Sequence, residues 1–264
     1  MSSPAELRLR VHVQGAVATV LMDRAEVHNA FDPQLIAGLT EAFQRLEADA
    51  AVRVVVLAAS GRSFSAGADL NWMKRMATYS GEENVADARA LARLMRVIDR
   101  LAKPVIARVQ GAAFGGGVGL VACCDMAVAA REAVFCLSEV RLGLIPAVIS
   151  PYVVRAMGAR AARRYFLTAE RFGADEAHRL GLVHQVTDAE GLDAAVAALA
   201  DHLLKGGPVA LASAKDLIAA VSDRPLDDAV IEDTARRIAA QRAGAEGQEG
   251  VAAFLEKRAP GWIG

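Results

Sequence analysis

VIARVQGAAFGGGVGLVACCDMAVA, residues 105–129, orders a strand, a glycine cluster, a helix and a second strand within 25 residues. Val105 to Val109 is a short apolar run of the kind a buried strand carries, and Lys103-Pro104 stops whatever helix precedes it. Gly111 to Gly119 then turns the chain, a helix continues through Cys123, and Met126 to Ala129 resumes as strand. The same order occurs upstream, where Val52 to Ala59 (VRVVVLAA) reads as a buried strand, Ser60 to Ala68 as a loop and Glu83 to Leu101 as a helix. Alternation of this kind predicts an α/β architecture with connections packed outside parallel strands.

The flanks fit that frame. Leu7 to Val13 alternates apolar with charged residues, Gly15 breaks the run and Ala16 to Met22 resumes it, which predicts a two-stranded hairpin. Asp32-Pro33 has the form of an N-cap followed by proline in the first helical turn, and Leu35, Ile36, Leu39, Phe43 and Leu46 recur at helical spacing through Ala48. From Gly191 onward the pattern is almost wholly helical: Leu192 to Leu204, Val209 to Val221, Leu226 to Gln241 and Gly250 to Lys257. Gly206-Gly207-Pro208 and Asp223-Arg224-Pro225 punctuate these helices.

Composition excludes several classes. With 54% hydrophobic and 23% charged residues the 264-residue chain is rich enough in apolar material to fold. A net charge of −1 gives no general attraction to nucleic acid or an anionic membrane, and Arg160 to Arg164 reads as a solvated helix face. The longest charge-free stretch, Val109 to Cys124, has 16 residues and five glycines, short of the roughly 20 apolar residues of a membrane helix. The N-terminal MSSPAELRLR meets Glu6 and two arginines before any apolar run, so a cytoplasmic location is expected. The arginine and alanine bias points to a bacterial source. Cys123, Cys124 and Cys136 form no Cys-x-x-Cys pair, and the five histidines show no helical metal spacing, so no metal site is expected.

Three further readings fall away. Neither Gly-x-Ser-x-Gly nor a phosphate loop ending Gly-Lys-Ser/Thr is present, and a dinucleotide fingerprint from Gly115 fails at Leu120. A helix beginning at Gly116 or Gly117 would present unpaired N–H groups with the positive end of the helix dipole behind them. That cluster suits an oxyanion hole, although glycines there also serve simple close packing of strand and helix. A second small-residue loop, Ser65-Ala66-Gly67-Ala68-Asp69, follows another buried strand, and two such loops could each aim one amide at a single oxygen.

Taken together, FSAGADL (Phe64–Leu70), KPVIARVQGAAFGGGVGLVACCD (Lys103–Asp125), FCLSEVRLGLIP (Phe135–Pro146) and LTAERFGADEAHRLGLVHQV (Leu167–Val186) resemble the enoyl-CoA hydratase/isomerase, or crotonase, superfamily. DRAEVHNAF near the N-terminus and EGVAAFLEKR near the C-terminus extend the likeness over nearly the full length. The resemblance implies a spiral of repeated ββα units over residues 1–200, holding the CoA-binding and catalytic parts, and a helical region over 201–264 that forms trimers, often paired into hexamers. It implies an acyl-CoA thioester substrate and no separate cofactor, coenzyme A being part of the substrate. Carried over by position, the amides of Ala68 and Gly116 form the oxyanion hole, Ala66, Asp69 and Leu70 meet the CoA moiety, and Lys257 reaches its phosphate region.

The carboxylates set the expected chemistry. Members of the family that carry two catalytic glutamates have the first in G-G-G-x-E-L; here that register reads Gly116-Gly117-Val118-Gly119-Leu120, with Gly119 where the glutamate would stand. The second matches Glu139. One carboxylate beside two aimed amides could hydrate a 2-enoyl thioester or shift its double bond. The texture of the sequence is similar to bacterial methylglutaconyl-CoA and isohexenylglutaconyl-CoA hydratases, which favours hydration, with isomerisation as the alternative and a non-catalytic acyl-CoA-binding subunit as a third. Ala147-Val148-Ile149-Ser150-Pro151 puts branched apolar groups where many relatives are glycine-rich, and Glu26 stands where relatives commonly carry lysine near the CoA.

Overall fold

The computed structural model describes residues 9–263. The strand expected from Leu7 is therefore seen from Leu9, and the N-terminal segment read for a leader lies largely outside the described residues. β1 (Leu9–Gln14) and β2 (Val17–Met22) form the expected antiparallel hairpin, turned at Gly15 with φ +57°. α1 (Pro33–Ala48) follows, its first turn capped by Asp32, whose carboxylate accepts from the Leu35 N–H at 2.8 Å.

Three successive passes then repeat one plan. β3 (Val54–Ala59) leads to β4 (Ser63–Ser65), α2 (Leu70–Met76) and α3 (Gly81–Arg100); β5 (Val105–Val109) leads to β6 (Ala112–Phe114) and α4 (Gly116–Cys123). β7 (Met126–Ala130) leads to β8 (Val134–Cys136), a 3-10 turn (Glu139–Leu142) and α5 (Ser150–Thr168), which is kinked at Gly158. β9 (Phe172–Gly173), α6 (Ala174–Arg179) and β10 (Gln185–Thr187) close the spiral.

The first strand of each pass joins a six-stranded sheet ordered β1-β2-β3-β5-β7-β10, parallel from β2 onward. The second strand of each pass joins a four-stranded sheet ordered β4-β6-β8-β9. This smaller sheet is the main departure from the sequence expectation, which read Ser60 to Ala68 as a loop and Gly111 to Gly119 as a glycine-rich turn. The small strands are three residues or fewer and carry no readable period; pairing with neighbours makes them strands.

VVVLAA is apolar throughout because β3 is buried on both sides. Val55 and Leu57 face the main core with α1, α3 and α4, while Val54, Val56 and Ala58 pack with Leu192, Val196 and Ala200 of α7 (Leu192–Leu204). Residue 200 lies inside α7, so the structure carries this helix as a layer of the sheet and leaves the core at Gly206-Gly207. α8 (Pro208–Val221), α9 (Asp228–Ala243) and α10 (Ala245–Leu255) contact one another.

These three helices meet the core where the parallel strands begin. Lys215 on α8 donates to Asp125 at 2.8 Å, and Asp125 also accepts from the Val105 N–H at 2.7 Å. Burial raises the Asp125 carboxyl above its ordinary range even with Lys215 beside it. At the start of β3, Arg53 donates to the carbonyls of Trp262 and Gly206. Among the described residues no helix is long and apolar enough to cross a membrane, and no group of three or more His, Cys, Asp or Glu is placed to hold a metal ion.

Candidate active site

The loops at the opposite, C-terminal ends of β3 and β5 meet around the segment 28–31. Asn29, with no exposed surface, donates from Nδ2 to the carbonyls of Ser60 at 2.9 Å and Ser63 at 2.8 Å, and its Oδ1 accepts from the Arg24 N–H at 2.8 Å. The Ser65 hydroxyl donates back to the Asn29 carbonyl at 2.9 Å. Phe31 then pairs with the loop as a single parallel bridge to Ala68, its N–H donating to the Gly67 carbonyl at 2.7 Å and its carbonyl accepting from Asp69 at 2.8 Å. Ala68 is exposed, and among the described residues its own N–H finds no acceptor.

Gly67 has φ +93°, and a Cβ there would come within 3.4 Å of the Phe114 carbonyl, so the loop lies directly against the end of β6. Gly115, the cap of α4, has φ +50° and donates to the Cys136 carbonyl at 2.8 Å. Gly116 opens α4, and a Cβ there would sit 3.1 Å from the Phe31 ring. At Gly117 a Cβ would sit 3.0 Å from both Cβ and carbonyl oxygen of Ser65. Bare backbone is what lets the two loops close on Phe31. Among the described residues the Gly116 N–H, like that of Ala68, has no acceptor within the chain.

Glu139 begins the 3-10 turn after β8 and faces this junction. A Cβ at Gly115 would lie 3.2 Å from Glu139 Oε1, while Oε2 is buried with no hydrogen-bond partner. Burial raises the Glu139 carboxyl above the ordinary range, against a smaller lowering from a hydrogen bond to its own backbone. Gly119, one turn along α4, is closed off by Ile149: a Cβ there would overlap Ile149 Cγ2 and lie 2.9 Å from Ile149 Cβ and 3.3 Å from Met95 Cε. Apolar groups therefore occupy the space a glutamate at 119 would need.

Ala66 is exposed and held by its N–H to the His28 carbonyl at 2.9 Å. The Asp69 carboxylate caps α2, accepting from the N–H groups of Asn71 and Trp72 at 2.9 and 3.0 Å, and Leu70 behind it is 72% exposed. Lys257 is not gathered with these residues. It follows α10 with φ +54°, in the region that Trp262 ties to Arg53, at the far ends of the strands. Sequence reading passed over Asn29 and Met95, although Asn29 lies within DRAEVHNAF. A cavity of about 1160 Å³ lies elsewhere, on the outer face of the large sheet between α7 and the β1–β2 hairpin, and Glu139 does not line it.

Free amides on two abutting loops and a half-buried carboxyl group facing them fit a class: an enzyme that polarises a carbonyl and moves a proton on a neighbouring carbon. The family model described as Enoyl-CoA hydratase/isomerase matches residues 12–264, and the chain belongs to that family. A crystal structure of an enoyl-CoA hydratase from Shewanella pealeana superposes with a TM-score of 0.95 at 48% identity, covering 97% of each chain. Crotonyl-CoA hydratase of Syntrophomonas wolfei is 33% identical over 94% of this chain and 94% of its own. 1,2-Epoxyphenylacetyl-CoA isomerase of Escherichia coli is 33% identical over 96% of this chain and 97% of its own.

Proposed function

We propose that the chain hydrates the 2,3 double bond of an enoyl-CoA whose acyl group is short or branched. The observation that carries this reading is the buried, unpartnered Oε2 of Glu139 beside the cap of α4. The thioester oxygen binds between the N–H groups of Ala68 and Gly116, which hold the negative charge it gains as the enolate forms. Glu139 takes a proton from water as the water oxygen bonds to C3 and the π electrons pass to the thioester. The resulting carboxylic acid then returns that proton to C2, so water is added and Glu139 ends ionised.

Coenzyme A arrives as part of the substrate, with no separate cofactor, along Ala66, Asp69 and Leu70. Lys257 reaches the CoA phosphates only from another copy of the chain, which fits a homotrimer or paired trimers. Leu226, Phe254 and Leu255, at 86%, 81% and 73% exposure on the C-terminal helical region, supply apolar surface for such an assembly. The work is cytoplasmic in this reading.

Isomerisation by the same residue is the second reading, favoured by the single carboxylate. Turnover of crotonyl-CoA in 18O-labelled water separates the two: hydration places the label in a 3-hydroxyacyl product, and a shifted double bond without label contradicts it. The raised carboxyl also fixes a pH dependence. Glu139 must be ionised to accept the first proton, so the acid limb of kcat/KM should fall above the ordinary glutamate value of about 4.3. A limb at or below that value would contradict the role of the buried group.

A further inference from the structure

We propose that Ile149 sets the size of the acyl group this site accepts, its side chain filling the volume into which any group at residue 119 would project. The inference rests on reading the cleft as an enoyl-CoA site. Gly119 lies one helical turn beyond Gly115 and Gly116 on the same face of α4, roughly 4.5 Å further along its axis than Gly116. With the thioester oxygen at the Gly116 N–H, carbon–carbon bonds of about 1.5 Å carry the third to fifth acyl carbons over that distance. They arrive where a Cβ at 119 would overlap Ile149 Cγ2.

The wall is stiff on one side and soft on the other. Ile149 caps α5, its carbonyl accepting from the N–H groups of Tyr152 and Val153, both at 3.1 Å, and Pro151 sits in the first turn behind it. It is 3% exposed, and its β-branched side chain has little rotamer freedom. Met95, reaching from α3 to the same spot, is an adaptable thioether with no exposed surface. A chain that grows past its fifth carbon must therefore displace a fixed isoleucine.

The test compares wild type with Ile149→Ala. One measurement is kcat/KM on crotonyl-, 2-hexenoyl- and 2-decenoyl-CoA; the other is Kd for butyryl-, hexanoyl- and decanoyl-CoA. The six-carbon over four-carbon preference should rise about 10- to 200-fold in either readout, the range one or two methylenes command in an apolar pocket. Ile149→Val, which keeps the branched Cβ, should move it in the same direction by a few-fold and guards against a poorly folded alanine variant. Ratios within twofold of wild type for both variants would overturn the proposal. Saturated thioesters bind without reacting, so a flat Kd ratio counts against Ile149 alone, whereas absent turnover with a shifted Kd ratio counts against the hydration reading alone.

Discussion

Glu139→Gln is expected to lower kcat by about 10²- to 10⁴-fold, the usual span for one group that both takes and gives a proton. The amide keeps the shape of the side chain beside Gly115 but cannot accept a proton from water. The same substitution should raise the melting temperature at neutral pH. The folded carboxyl titrates above its unfolded value, so stability is lost as pH rises from the unfolded to the folded pKa and stays lost above it. Glutamine carries no such penalty, and the gain should vanish below about pH 4, where the carboxyl is protonated in both states. Steady-state kinetics and thermal melts at pH 4 and 7 check both halves; undiminished turnover would remove Glu139 from the chemistry.

Asn29→Ala is expected to damage stability and activity together. It leaves the Ser63 carbonyl without its partner in a buried bond, and the Ser60 carbonyl and Arg24 N–H without theirs in partly buried ones. A fully buried orphan costs about 1–3 kcal/mol, and the partly buried ones add less. Alanine also tolerates the backbone less well, because residue 29 has φ +51°, where asparagine is at home. A total near 3 kcal/mol corresponds to a melting point lowered by about 6–12 °C. Because Asn29 braces the segment that pairs Phe31 with Ala68, kcat/KM should also fall by roughly 10- to 100-fold, as displacements of about 1 Å do at reacting centres. A variant melting within 2 °C of wild type with unchanged kinetics would show that the brace carries no weight.

Several long elements were legible because burial imprints a period on them, whereas α5 (Ser150–Thr168) was foreseen only as the solvated face Arg160 to Arg164. α1 follows from Leu35, Leu39, Phe43 and Leu46 together with its Asp32 cap, and α4 and α7 occupy their expected spans, 116–123 and 192–204. The four-stranded sheet was not legible, since Ala112 to Phe114 and Val134 to Cys136 are too short for alternation to show. At the site, the glycines and Glu139 were visible as residue types in order. Asn29 and Met95 were not, because the Asn29 bonds to the Ser60 and Ser63 carbonyls and the Met95 approach to Gly119 join segments about 24 to 34 residues apart along the chain. Ala147 to Pro151 stood out for its branched apolar groups, but the sequence held no sign that Ile149 covers the missing glutamate's place.

The strands put the loops of the candidate site at one end and the three last helices at the other, with Lys215, Asp125 and Arg53 as the joints of that lower end. Sites so far apart, sharing no partner, respond to substitution independently to within about 0.5 kcal/mol. A designer could therefore remodel the upper rim for new acyl groups and retune the base for thermal endurance in separate campaigns, then combine the winners by simple addition.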